Sequence, residues 1–173
     1  MTVTNVVKDL DALTLAITAE LDASPERIWQ LWADPRQLER WWGPPEYPAT
    51  MDSHDLRPGG RVAYHMTGPT GDQPRGLWEV MEVDPPRSIV FRDLFADDEG
   101  NPNPDLPAST VRTTIEDIGD GRTRMSIESA FQTAEAMEQV LAFGMEEGLK
   151  SAVGQIDAIL AESSMSSTPV RSQ

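Results

Sequence analysis

The sequence predicts an α+β domain in which a curved antiparallel sheet wraps a long C-terminal helix. Three observations carry that prediction. A run of apolar–polar alternation near the N-terminus leads into two short helix patterns. Six further strand patterns follow, separated by tight turn signals. The last periodic segment then repeats at helical spacing from Thr133 to about Glu162. A chain of 173 residues suits one such domain.

Residues 1–12 are of mixed character and read as an N-terminal arm. Leu13, Leu15, Ile17, Ala19 and Leu21 then share one side of a half-buried strand. At Ser24 the period changes: the serine can cap a helix with Pro25 at its first position, and Ile28, Leu31 and Trp32 fall on one side. Asp34-Pro35 breaks this helix and starts another, which Gly43-Pro44-Pro45 ends. Strands are expected over 47–56, 61–67, 75–84, 87–95, 109–118 and 122–130. Their separators, such as Arg57-Pro58-Gly59-Gly60 and Gly119-Asp120-Gly121, are short enough to make sequential strands antiparallel neighbours. One connection differs: residues 96–108 carry three prolines and four acids and read as a long surface loop, a candidate lid.

In the last segment Val140, Leu141, Gly144, Met145, Gly148, Leu149, Ala152, Val153, Ile156, Ile159 and Leu160 form one broad apolar stripe. Residues 163–173 are Ser-rich and read as a disordered tail, which leaves 13–162 as the domain. A sheet that curves around the helix can leave a cavity between its floor and the helix, where function is to be sought.

Composition narrows the function classes. The 29 acids against 14 basic residues give a formal charge of -15, and twelve of the basic residues are Arg. A backbone-driven nucleic-acid binder needs a basic face, so nucleic acid is not an expected partner. Cysteine is absent, which removes disulfides, thiolate catalysis and Cys-based metal sites, and fits a cytoplasmic location. No secretory signal and no membrane span is suggested by the apolar runs. Dinucleotide, phosphate-loop, zinc-protease and nucleophile-elbow motifs are missing, and neither a cofactor nor a metal is expected.

Four strings point to a family. Residues 23–35 (ASPERIWQLWADP), 38–44 (LERWWGP), 55–61 (DLRPGGR) and 82–91 (EVDPPRSIVF) resemble, in this order and spacing, the START-like superfamily, also called SRPBCC or Bet v-like. Within it the chain is most similar to the branch named for the C-terminal domain of the activator of the Hsp90 ATPase. The resemblance spans roughly residues 13–161. It implies a helix-grip fold with a hydrophobic cavity or tunnel. Relatives of this superfamily bind lipids, sterols and polyketides, and some cyclise aromatic precursors. Gly144-Met145 stands where the branch often carries Gly-Trp.

Candidate residues follow from strand parity. Val62, Tyr64 and Met66 share one face of the 61–67 strand, and Phe91, Asp93 and Phe95 share a face of the next but one. With Leu141, Met145 and Leu149 from the helix they are the expected cavity lining, and Asp93 is the candidate polar anchor. Glu79 and Glu128 are comparable strand acids, with Arg112 or Arg124 as candidate partners. Trp41 and Trp42 are assigned to packing rather than to a ligand. If Leu56 pairs with Arg61, Asp52 lies opposite His65 with His54 diagonal to it, on the solvent side. Gly144 and Gly148 lie on the inward stripe and either admit close approach of the sheet or leave space for a ligand. The expected function is binding of a small hydrophobic or amphipathic molecule. A cyclase- or hydrolase-type enzyme and a stress-response or chaperone-associated interaction protein are the alternatives, and a homodimer is left open.

Overall fold

Alternate residues of Thr14–Leu21 (β2) are fully buried, from Leu15 to Leu21, so one face of the strand must lie on a core. The computed structural model, which describes residues 3–167, extends this strand into one eight-stranded antiparallel sheet. Its strands are β1 (Val3–Asp9), β2, β3 (Ala49–His54), β4 (Arg61–Met66), β5 (Arg75–Asp84), β6 (Ser88–Ala96), β7 (Ser109–Gly119) and β8 (Arg122–Ala130). Their spatial order is β1-β2-β8-β7-β6-β5-β4-β3. From β3 to β8 each strand lies beside its neighbour in sequence, as the short turns require. Register shifts at Met51/Ser53, Val80/Glu82 and Asp117/Gly119 add local twist and help the sheet curl.

Two helices, α1 (Pro25–Ala33) and α2 (Pro35–Trp41), follow β2 and close one end of the sheet. The Ser24 hydroxyl accepts from the Arg27 amide at 3.2 Å, and the Asp34 carboxylate accepts from Arg36 at 2.9 Å. Trp32 and Trp41, both fully buried, meet edge to face with centroids 4.9 Å apart. Trp32 also lies against Trp78, which stacks on Phe91 at 4.0 Å. This aromatic chain fills the groove at the helical end of the sheet. The α2 C-terminus is held from across the core: the Gln155 side-chain amide donates to the carbonyls of Gly43 at 2.7 Å and Trp41 at 3.3 Å.

Three expectations change. Residues 3–9 are part of the sheet and not an arm: β1 pairs with β2 from Val3↔Ala19 to Asp9↔Thr14. Its side chains from Asn5 on are mostly exposed, so an edge strand held by its backbone ladder leaves no alternation to read. The C-terminal helix is divided into α3 (Ala134–Ala142), α4 (Met145–Gly154) and α5 (Ile156–Ser167). Gly144 at φ 88° takes the left-handed conformation that ends α3, and a second break falls at Gln155. Finally, α5 continues to Ser167, so residues 163–167 of the expected tail are helical; residues 1–2 and 168–173 lie outside the described residues.

The break at Gly144 coincides with a division of the core. Val153, Ile156 and Ile159 join the large cluster with the tryptophans, whereas Met137 and Val140 of α3 pack on Phe131 in a smaller one. The space between the two clusters is incompletely filled.

Candidate functional site

Inward-facing positions on β4 to β8 alternate with outward ones, so Tyr64, Gly76, Asp93, Val111 and Ile127 all meet on the concave face. Toward α1 and α2 this face is plugged by Trp78 and Phe91. Past them it opens into a cavity of about 270 Å³. Its floor is Tyr64 and Met66, Gly76, Asp93 and Phe95, Val111, Ile127 and Ser129; Val140, Phe143, Gly144, Met145, Gly148 and Leu149 roof it. Trp42 and Pro44 form the end toward α2, and Pro107 is the residue of the 97–108 loop that reaches the wall. That loop is folded on itself, with the Asp97 carboxylate accepting from the amides of Glu99 and Asn101 at 2.9 Å.

Two glycines make room. A Cβ at Gly76 would run into the Tyr64 ring, so glycine there lets the phenol lie across the neighbouring strand. A Cβ at Gly148 would meet nothing within 4 Å, and the space it leaves belongs to the cavity.

Asp93 is the acid in this apolar wall. It stands directly opposite Trp78 on β5, which puts both side chains on the concave face. Its carboxyl accepts no hydrogen bond and makes no ion pair with any described residue. Half-buried in the cavity wall, it is desolvated enough to be pushed up to about 7. The same burial raises Tyr64, and the negative charge of Asp93 adds to the effect. The indole N–H groups of Trp42 and Trp78 lie beside the phenol and oppose the shift. Neither closes a hydrogen bond of good geometry, and both are buried without another acceptor.

Of the residues expected to line a cavity, Tyr64, Met66, Asp93, Phe95, Met145 and Leu149 do so. Val62 and Phe91 are fully buried below it, among the tryptophans that fill that end of the groove. Leu141 packs on the small cluster around Phe131. Trp42, assigned to packing, is 8 % exposed and also forms the cavity's end wall. The contributions of β7 and β8 (Ser109, Val111, Ile127, Ser129) were open to the same parity argument that singled out Tyr64 and Asp93. Nothing in the sequence marks Gly76 as the partner of Tyr64.

The other strand acids lie elsewhere. Glu79 faces outward and meets Arg61 at 3.3 Å and Arg92 at 3.5 Å, while Arg124 meets Glu20 and Glu116. Glu128 is exposed and pairs across β8 and β7 with Arg112 in backbone register. The expected Asp52–His54–His65 group does not form. The register shift between Met51 and Ser53 leaves Thr50 opposite His65. The Asp52 carboxylate still reaches His65 Nδ1 at 3.0 Å, with Arg75 at 3.4 Å, on the outer face. The shift turns His54 the other way, and its Nε2 contacts the Trp32 carbonyl at 2.9 Å. No group of three or more potential metal ligands occurs among the described residues. No helix among them is long and apolar enough to cross a membrane.

Solved structures share this architecture. A crystal structure of the protein Ms6760 from Mycobacterium smegmatis is 56% identical, covers 91% of this chain and 96% of its own, and superposes with a TM-score of 0.84. A solution structure of a protein from Arthrobacter aurescens is 46% identical over 93% of both chains, with a TM-score of 0.89. The AHSA1 protein from Silicibacter pomeroyi, at 24% identity and a TM-score of 0.71, shares the fold over 87% of this chain and 99% of its own. No match was found among curated proteins. Residues 22–161 match the family model described as "Activator of Hsp90 ATPase homolog 1-like protein". With the helix-grip sheet, the capped helix pair and the cavity all in place, the chain belongs to that family, within the START-like (SRPBCC) superfamily.

Proposed function

We propose that the protein reversibly binds one small hydrophobic or amphipathic molecule in the cavity between the sheet and α3–α4. The observation that carries this reading is an apolar cavity of about 270 Å³ whose wall holds one carboxyl group with no partner among the described residues. Ligand cavities typically run from about 300 to 1,000 Å³, with an apolar lining and few polar groups, so the ligand is small. Burying roughly 200 Å² of its apolar surface at ~25 cal/mol per Å² supplies about 5 kcal/mol. The freedom lost on association offsets much of that gain, which favours exchange over permanent capture. Asp93 is then the group that orients the ligand.

A second reading has one observation behind it. A carboxyl that titrates near neutrality in an apolar site is suited to proton transfer, which makes Asp93 the general acid or base of an enzyme acting on a ligand of the same kind. Native mass spectrometry of protein purified from its own host tests the binding reading. One equivalent of a small molecule, released on denaturation, is the expected result. A chain that stays at its bare mass, there and after addition of octanol, overturns it. Chemical change of the released molecule on return to the protein would favour the enzyme.

A further inference from the structure

Three acids on the sheet contrast with Asp93. Glu20, Asp52 and Glu79 each lie on the outer face within 3.5 Å of at least one arginine. Arg92, the neighbour of Asp93 in sequence, points outward to Glu79. Arg75, which contributes to the cavity rim, directs a guanidinium nitrogen to Asp52 at 3.4 Å. The carboxyl of Asp93 is therefore left in an apolar wall with no cation of the described residues paired with it. A buried carboxylate without a partner is costly, and an incoming cation recovers much of that cost.

The surroundings match such a cation in a second way. Trp42 closes one end of the cavity and Tyr64 lies on its floor, their ring centroids 6.2 Å apart, while Trp78, opposite Asp93, is covered by Phe91 and Trp42. Aromatic rings stabilise a cation by their quadrupole and repel an anion. The net charge of -15 raises the local concentration of cations and lowers that of anions around the whole molecule.

Resting on the ligand-binding reading above, we infer that the cavity is selective for an amphipathic amine. Its protonated nitrogen docks on the Asp93 carboxylate beside the Trp42 and Tyr64 rings, and its apolar body fills the space under Met145, Gly148 and Leu149. A fatty acid of similar size meets the unpaired negative charge and is excluded. A neutral alcohol fills the same volume and offers the carboxylate an O–H donor without the opposite charge, a contact that an asparagine oxygen can also accept.

Calorimetric titration with n-octylamine, n-octanol and octanoate at pH 8 separates these cases, because the three share one hydrocarbon body. The amine is expected to bind about tenfold tighter than the alcohol, as a charge-assisted contact allows, and octanoate more weakly than either. In Asp93→Asn the amine falls to the level of the alcohol, and alcohol binding is retained. At pH 5.5 the wild type loses the amine advantage, since Asp93 then holds its proton. The groups that face Asp93 do not confuse this readout. Tyr64 from β4 stays protonated, the Arg75 guanidinium from β5 is directed to Asp52 on the outer face, and the lining of β7, β8, α3 and α4 carries no titratable side chain. Equal affinity for amine and alcohol in the wild type, or an amine advantage that survives Asp93→Asn, overturns the amine assignment and leaves ligand binding standing. Binding of none of the three overturns both.

Discussion

Replacing Asp93 by Asn isolates the cost of placing a carboxyl in this wall. In the folded protein the group is desolvated and titrates at about 7, against an ordinary 3.8. Between those two values the folded state holds the proton and the unfolded state has released it, so stability falls as pH rises through the window. At about 1.4 kcal/mol per pH unit the full gap amounts to roughly 4 kcal/mol above pH 7. The cavity opens toward solvent, and water in it lowers that figure to about 2 kcal/mol as a working minimum. The difference in stability between Asp93→Asn and wild type is therefore expected to grow between about pH 4 and pH 7 and then level off. In a chain of this size 2 kcal/mol raises Tm by roughly 4 °C or more. Thermal melts of both proteins, unliganded, at half-unit pH steps provide the measurement. The outer ion pairs titrate alike in the two proteins and cancel. A difference independent of pH would refute the claim that Asp93 is desolvated and unpaired.

Three further substitutions probe how the cavity is built. Gly148→Leu projects a side chain into open space from a helical position, so binding of octanol to the cavity is expected to vanish while the melting temperature holds or rises; unchanged binding would contradict the cavity's roof. Gly144→Ala forces a Cβ into the left-handed region at φ 88°, and urea denaturation is expected to show a loss of about 1–2 kcal/mol, with no comparable loss for Gly148→Ala. Gln155→Ala strips the donor from the Trp41 and Gly43 carbonyls at the end of α2, at a cost of about 1–2 kcal/mol in the same assay.

The sheet was legible because its strands alternate and its turns are short. Leu15 to Leu21, Val62 to Met66 and Phe91 to Phe95 declare their faces by parity, and parity alone placed Asp93 inside. Depth along a strand is a different matter. Val62 and Phe91 share the correct face yet lie under Trp32 and Trp78, because bulk supplied by α1 and β5 decides where the groove is filled. That is a tertiary quantity which no single strand encodes. The register of β3 on β4 was missed for a local reason: one extra residue at Asp52 makes a bulge, and every side chain after it changes sides, His54 included. The division of the last helix at Gly144 was hidden because the apolar stripe runs through the break. Gly76 carried no signal at all, since its role is to be absent where the Tyr64 ring passes.

A small apolar molecule is expected to enter the space between the sheet and α3–α4. Methionine methyl groups mark that space and its surroundings. Met66 and Met145 line the cavity, Met51 is buried in the large core, and Met81 is exposed far from the opening. A titration of ¹³C-methyl-methionine protein with n-octanol, followed by NMR, therefore tests the claim directly. The Met66 and Met145 signals are expected to shift along one saturable curve while Met51 and Met81 stay in place. Signals that do not move, or that all drift together without saturation, would contradict it.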